Sequence, residues 1–495
     1  MKTLILILFP FLLFAQTIWY VDRDSLNLST RVVDGDGTSW GTAYKRVQDL
    51  YNNETVVRGD TILISGGLAG DSTTYAPDGV DHSQTGGSSG YIVIKRAWES
   101  GHNGDVWFVR TTGVGTAFAF EGNSHMMLQD VNLAHFATTP GNNYVMLFGD
   151  FSGVDLADSC KIDNCYLVSN GYSILVRFNH TAWDIVSNCY METLDNSYDE
   201  SQEFIYDNQG RGGCMIIGNT FIGRSTDPEN GSDHIDYLQI AGTGTHVGTV
   251  GYDYVIANNF FYNNRPDAYF NAFAYGGAIK SNRIWIYNNI IALKTSRGQG
   301  WSVRGSTDSS DCNYSLRMFN NTFVTDAPDS TMLPMRFGVV DSLWYYNNIV
   351  DVISASTYNI LFDNSEPPGT YGYSYLSHLE IDNNYYNNQT ANAIIKVDGT
   401  EYTLPQWQGY GGGGYDNNTY FGSISYSNLW DSVDIGGYSI TAGRDLGADL
   451  SAIEVPDGAP PIDEDILGNP RGKGAGWDMG AIEFQGVTSW IPGLK

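Results

Sequence analysis

Basic residues are scarce in this chain. Lys and Arg number 26 against 55 Asp and Glu, a formal net charge of −29 over 495 residues. That balance excludes a general nucleic-acid binder, because neutralising phosphates needs a basic field. It also disfavours a peripheral anchor on anionic lipid. Charge of either sign is sparse, at 16% of residues against roughly 25% in an average globular protein. No stretch reaches the ~18 apolar residues that a membrane-spanning helix needs, so no membrane insertion is expected. The five cysteines are an odd number and too few for a disulfide framework, and they contain no Cys-x-x-Cys pair. A zinc ribbon or thioredoxin-type site is thereby excluded. None of the 8 His forms a His-x-x-x-His pair, which excludes a zinc protease. The chain is instead rich in Gly (57) and Tyr (33), and at 42% hydrophobic and 14% aromatic residues it can bury a large core.

Met1-Lys2-Thr3 precedes an apolar run from Leu4 to Phe14, then Ala15. One positive charge, a short apolar stretch and a small residue at its end describe a secretory signal peptide. Residues 1–15 are therefore expected to be removed, and the protein to be secreted. No Cys sits near the predicted cut, so a lipid-modified N-terminus is not indicated.

From residue 128 onward one phrase recurs: β-branched or aliphatic residues, then Asn, a small or polar residue, and an aromatic or aliphatic one. It reads Ile162-Asp163-Asn164-Cys165-Tyr166, Val186-Ser187-Asn188-Cys189-Tyr190 and Ile217-Gly218-Asn219-Thr220-Phe221. It returns around Asn258-Asn259, Asn288-Asn289, Asn320-Asn321, Asn347-Asn348 and Asn383-Asn384. The interval is roughly 24 to 40 residues, the period range of solenoids. Each period holds short strands separated by Gly, Asn, Asp and Ser, with almost no helical periodicity. Irregular spacing around a fixed Asn favours a parallel β-helix over a propeller, because insertions enlarge turns while the rungs keep register. Asn suits the bend because it tolerates the left-handed region and can bond to the next Asn in a stack. Cys165 and Cys189 hold equivalent places and read as small stacked core residues or as a bridge.

The repeat resembles the right-handed parallel β-helix of the pectin-lyase-like superfamily. Both ends add to the likeness. Trp19-Tyr20-Val21-Asp22, Asp36-Gly37-Thr38-Ser39-Trp40-Gly41-Thr42-Ala43-Tyr44 and Gly59-Asp60-Thr61-Ile62 resemble the opening of many secreted bacterial β-helix proteins. Trp407-Gln408, Leu446-Gly447-Ala448-Asp449, Pro470-Arg471-Gly472 and Trp477-Asp478-Met479-Gly480-Ala481-Ile482-Glu483 resemble the closing segment of the choice-of-anchor Q group. The resemblance implies an all-β, single-stranded solenoid with N- and C-terminal caps. The expected organisation is a signal peptide at 1–15, an N-terminal cap and first strands at 16–90, the β-helix at 91–395, and C-terminal coils with a closing cap at 396–495. A capping helix is expected near 43–50, where Ala43, Val47 and Leu50 share a face.

One sheet of such a solenoid presents a candidate binding face, on the segments 173–178, 203–208, 236–241, 268–273, 300–305 and 333–337. Strict alternation places Val176, Tyr206, Leu238, Phe270, Val303 and Met335 inward, and Arg177, Asp207, Gln239, Asn271, Arg304 and Arg336 outward. Tyr237 and Tyr269 stand two residues earlier on the same expected face. Tyr rings stack on sugars, and Arg, Asn and Gln bond hydroxyls or carboxylates, so the row suits an extended glycan. The densest group of acids and bases is Asp207, His234, Asp236 and Asp267, with Lys294, Arg297 and Arg304 in the next turns. Carboxylates and a His supply an acid and a base for glycosidic hydrolysis. The same carboxylates suit Ca²⁺, which in a lyase neutralises a uronate while Lys or Arg takes the proton. Asp207, His234, Asp236, Lys294 and Arg304 are the catalytic candidates. Arg177, Tyr237, Gln239, Asp267, Tyr269, Asn271 and Arg336 are the substrate-binding ones. No lyase motif is complete, and turn-stabilising Asx bonds account equally well for the acids.

Two functions from different classes follow. The first is a secreted β-helix protein that binds, and as lyase or hydrolase cleaves, an extracellular polysaccharide. The second is a non-catalytic structural or adhesive protein, since a stiff solenoid also serves as a spacer.

Overall fold

The computed structural model describes residues 16–23, 36–81, 90–137, 142–149, 158–170, 173–194, 202–208, 212–224, 235–242, 253–263, 269–277, 283–293, 297–303, 315–325, 331–337, 342–352, 360–362, 378–388, 395–397, 400–410, 414–421 and 443–484. Among the described residues three sheets of 12 strands each run the length of the solenoid, and successive coils contribute one strand to each sheet. The described strands of the sheets pair in parallel except at one hairpin near the C-terminal end, Ile395–Val397 with Thr400–Tyr402. This is the right-handed parallel β-helix that the repeat predicts.

The first sheet runs from Ile18–Val21 to His378–Asp382, and the second from Ser72–Tyr75 to Tyr420–Phe421. Like residues stack on like in the lumen. The register of the first sheet aligns Ile62, Ile94, Leu128, Ile162, Val186, Ile216, Ile256, Ile286 and Met318. All are buried in one continuous core. In the second sheet Phe221 and Phe261 stack with ring centroids 4.6 Å apart and planes 7° from parallel.

The bend between these two sheets explains the repeated asparagines. The first position of each bend lies at positive φ: Asn164 at 51°, Asn188 at 54°, Gly218 at 68°, Asn258 at 58° and Asn288 at 55°. Asn, Asp and Gly are the residues that enter this region at least cost. The second position points inward. From Asn219 it forms a ladder, each Nδ2 donating to the next Oδ1: Asn219 to Asn259 at 3.1 Å, Asn259 to Asn289 at 3.0 Å, Asn289 to Asn321 at 3.0 Å. Asn321 continues to Asn348 at 2.9 Å, and Asn348 to Asn384 at 3.2 Å. Asp416 terminates the ladder, accepting from Asn384 at 3.1 Å. In earlier coils Cys165 and Cys189 occupy the ladder position as free, buried thiols, so they are stacked core residues and not a bridge.

The N-terminal end is covered by the helix Val47–Asn53, which buries Val47, Leu50 and Tyr51 over the first coils. Ala43 is also buried but precedes the helix, because the chain is still extended there. At the C-terminal end the helix Leu404–Gln408 places Trp407 over the last coil, its Nε1 donating to Asp416 Oδ2 at 2.9 Å.

The closing phrases lie elsewhere. Residues 443–484 form a strap along the outside of the solenoid, over the asparagine bends, rather than across its end. Leu450, Ile462 and Trp477 pack on Val255, Trp285, Tyr287 and Phe319 of the first sheet. Ala481 packs on Phe260, Ile290 and Val324 of the second. The outward asparagines of the bends bind the strap: Asn288 Nδ2 donates to Glu464 O at 2.7 Å, and Asn347 Nδ2 to Ala448 O at 2.9 Å. Arg471 is wholly buried, donates to Asn288 Oδ1 at 2.8 Å and lies 3.7 Å from Glu483. Burial lowers its basicity to about 10, opposed by Asp465, Glu483 and Asp478.

Candidate functional site

The third sheet contains the strands Asn143–Phe148, Ile174–Asn179, Gln202–Asn208, Ile235–Gly242, Tyr269–Gly277, Arg297–Val303 and Thr331–Phe337. These strands bend midway. The register pairs Tyr144 with Ile174 and Met146 with Val176, and skips the position between. The skip recurs at Phe204 and Tyr237 and continues to Pro334. Proline fits there because the ladder asks no N–H of it. At the bend two successive residues turn inward: Leu175 with Val176, Phe204 with Ile205, Tyr237 with Leu238.

Two corrections follow, because simple alternation loses phase at the bend. Tyr237 is not on the outer face. It is 0% exposed, packs between Phe204, Phe221 and Phe261, and its hydroxyl donates to Tyr262 O at 2.6 Å. Tyr206 and Asp207 exchange their expected places. Asp207 points into the lumen, where its carboxylate accepts from Tyr254 Oη across the core. Asp236, placed among the catalytic candidates, is also 0% exposed.

Beyond the bend the register aligns Arg177, Tyr206, Gln239, Ala274, Ser302 and Arg336, of which Arg177, Tyr206 and Gln239 are half-buried on the outer face. Arg177, Tyr206 and Gln239 thus stand in one register row, and the backbone of Arg336 falls at the same register place. Asn271 pairs with Asp236, and Tyr269 with Arg297, before the bend. His234, Asp267, Lys294 and Arg304 lie outside the described residues.

Arg177 is the centre of this row. Its guanidinium carbon lies 5.1 Å from the ring centroids of both Tyr144 and Tyr206, and its Nη1 donates to Tyr144 Oη at 2.9 Å. The arrangement combines a cation with two aromatic faces. Burial raises the pKa of both phenols; Glu203 adds to this and Arg177 opposes it. Both therefore remain protonated at neutral pH. Tyr206 falls outside the expected row because the bend, which decides its direction, leaves no mark in the alternation; Tyr144 lies on a strand before the first candidate segment, 173–178.

Beneath this face the lumen holds acids that the outer surface does not see. Asp184 occupies a core column between Cys160 and Cys214 and accepts from Cys160 N–H at 2.8 Å. Burial raises its pKa well above the carboxylate range. Ser65, His102 and Asp22 meet near the N-terminal end without forming a relay. Ser65 Oγ and Asp22 Oδ2 lie 2.9 and 3.6 Å from the same ring atom, Nδ1. A nucleophile relay needs the two nitrogens to serve different partners. Among the described residues no group of three or more His, Cys, Asp or Glu is placed to hold a metal ion. Nor is any helix among them long and apolar enough to cross a membrane.

No protein-family model and no curated protein matches the chain. Solved structures do. The pectate lyase Pel9A aligns with TM-score 0.49 and 13% identity over 94% of this chain and 96% of its own. A tailspike protein of the E. coli bacteriophage HK620, in complex with a pentasaccharide, aligns with TM-score 0.28 and 12% identity over 74% of each chain.

Proposed function

We propose that this protein is a secreted, polysaccharide-binding β-helix whose binding face is the outward row of the third sheet. The observation that carries this reading is Arg177 held between the rings of Tyr144 and Tyr206. Gln239 extends the same row. Rungs repeat at roughly 4.8 Å, close to half the length of a disaccharide step, so an extended chain laid along the solenoid meets Arg177, Tyr206 and Gln239 on successive rungs. Arg177 supplies planar donors to hydroxyls or carboxylates and half-buried Tyr206 an apolar ring face, while Tyr144, 2% exposed, braces the guanidinium from beneath. Secretion is proposed from the apolar segment that follows Lys2.

Catalysis is a further step of the same reading. With Asp207 turned into the lumen and Asp236 buried, an acid–base pair exposed on this face would have to draw on His234, Asp267, Lys294 or Arg304. Ca²⁺ at their carboxylates is the corresponding metal proposal.

The test measures binding of a panel of neutral and acidic polysaccharides to the wild type and to Arg177→Gln with Tyr206→Ala. The expected result is at least a tenfold loss for the bound glycan. Unchanged binding in the double variant would remove this face from the reading. Following product ends in the same incubations, with and without Ca²⁺, separates the outcomes. Unsaturated ends mark a lyase, and new reducing ends without unsaturation mark a hydrolase. Binding without product leaves an adhesive or structural protein.

A further inference from the structure

The outer face of the first sheet carries a second row of aromatic and charged residues. The register stacks Val255, Trp285, Arg317, Trp344 and Glu380 in one outward column. Arg317 lies between two indoles, its guanidinium carbon 4.3 Å from the Trp285 ring centroid and 4.9 Å from that of Trp344. Two π faces hold the planar guanidinium in one orientation without neutralising it.

This cation lacks an acid. Among the described residues Arg317 makes no ion pair or hydrogen bond, and its Nε is buried without a partner. Asp253, the carboxylate that acts on it through space, is already gripped by Arg283, whose Nε and Nη2 donate at 2.5 and 2.8 Å. Some cations on the solenoid surface are paired with acids, Lys161 with Asp163 at 3.4 Å and Arg224 with Glu192 at 2.5 Å, while Arg58 and Arg110 donate to backbone carbonyls; Arg317 has neither kind of partner among the described residues. In a chain with 55 acids and 26 bases, chance would sooner leave an acid unpaired than a guanidinium.

Polar groups continue the row. The His378 ring lies 4.8 Å from Trp344, and its Nε2 is 2.6 Å from Glu380 Oε1. Tyr346 Oη donates to Glu380 Oε2 at 3.1 Å. His378 and Glu380 have side chains 44% and 43% exposed. The strap residues Ile453, Val455 and Ala459 pack in the same cluster as Trp344 and Tyr346 and form an apolar wall beside them.

We propose that this row is a second saccharide site, selective for a sugar that carries an anionic group. Arg317 takes the carboxylate or sulfate through its Nη donors, as a fixed fork does best. His378 and Glu380 meet ring hydroxyls, and the indole edge of Trp344 meets the apolar side of the ring. The inference rests on the reading of the protein as a polysaccharide binder and adds a separate face and a charge preference to it.

The test uses the full chain and three probes: a uronic-acid trisaccharide, its methyl ester and a sulfated trisaccharide. Calorimetry should show at least one anionic probe binding tenfold or more tightly than the ester. Arg317→Gln should abolish that difference and leave ester binding unchanged. Arg317→Lys should restore only part of it, because a point charge does not replace the fork. Thermal melts check that the variants fold. Should Arg317→Gln unfold, side-chain Nε–H resonances of the wild type replace it, and the Arg317 signal should move with the anionic probe alone. A charge preference that persists in Arg317→Gln overturns the proposal, as does a wild type that shows none. Loss of the preference in Arg177→Gln but not in Arg317→Gln would overturn this site and leave the third-sheet reading intact. Ester binding that survives Arg177→Gln with Tyr206→Ala, while Arg317→Gln removes the charge preference, would overturn the third-sheet reading alone.

Discussion

Asn321 and Asn348 are joined twice through one atom. The Oδ1 of Asn348 accepts the side-chain amide of Asn321 at 2.9 Å and its backbone N–H at 3.0 Å. The other Nδ2 hydrogen of Asn321 goes to Ile286 O in the preceding coil, at 2.9 Å. One side chain thus satisfies buried groups in three coils, and this is why the second Asn of the phrase recurs while its neighbours vary.

Asn321→Ala should therefore be costly. It removes these bonds and leaves the N–H and Nδ2 of Asn289 without the acceptor they share. At about 1–3 kcal/mol for each buried group left unsatisfied, the loss should be on the order of 3 kcal/mol or more. Asn383→Ala, which loses one 3.3 Å bond to the strap and puts Ala at a φ of 53°, should cost less, about 1–2 kcal/mol. Chemical denaturation of both variants checks the contrast.

Asp416 should give stability a pH dependence of unusual sign. Burial raises its pKa to about 6, against hydrogen bonds from Thr419, Asn384 and Trp407. The unfolded chain has the ordinary value near ~4, so the fold favours the neutral acid. Its contribution is full below the unfolded value and is lost as pH rises through about 6. A shift of this size corresponds to on the order of 2–3 kcal/mol. Asp416→Asn should flatten the stability profile between about pH 4 and 7. The slope is the readout, because an amide nitrogen cannot accept from Trp407 Nε1. An unchanged slope would rule this carboxyl out as its source.

The four described cysteines should be inert in the folded protein. Cys160, Cys165, Cys189 and Cys214 are buried and free. Burial pushes the thiols of Cys160, Cys189 and Cys214 well up. The thiolate is the reactive form, so alkylation at pH 8 should spare these positions until denaturant is added. Peptide mapping by mass spectrometry reads this directly.

Gly480 should be a sensitive position of the strap. Its φ is +85°, and a Cβ there would lie 2.5 Å from Thr322 Oγ1 and 2.7 Å from Ile349 Cδ1. Gly480→Ala should destabilise by roughly 2 kcal/mol or more, from the left-handed backbone and the forced displacement of a core neighbour. Hydrogen exchange should quicken across 443–484 before it does in the sheets.

Tyr237→Phe separates core from surface. It should cost about 1 kcal/mol for the bond to Tyr262 O and leave glycan binding unchanged. Weakened binding at constant stability would return Tyr237 to the binding face.

The repeat was legible because its cause is local. A bend at positive φ selects Asn or Gly, and a buried amide that must bond both neighbours selects Asn again, so the chain itself carries the coil count and the ladder. Spacing alone puts Arg177 and Gln239 at one register place. It misplaces Tyr206, Asp207 and Tyr237, because the bend in the third sheet turns two successive residues inward and resets the alternation.

The strap shows the same limit. Leu450, Ile462, Trp477 and Met479 announce in sequence that residues 443–484 are packed. They do not say against what, since apolar burial is non-directional. Only the folded solenoid, with its outward asparagines and the apolar faces of Trp285, Tyr287 and Phe319, selects the flank over the open end. The Arg317 row is likewise a tertiary product. Trp285, Arg317 and Trp344 stand about 30 residues apart in sequence and meet because the coils place them one rung apart. Composition and spacing determined the solenoid; the phase of each sheet and the path of the strap, both settled by contacts between distant coils, decided which residues face solvent.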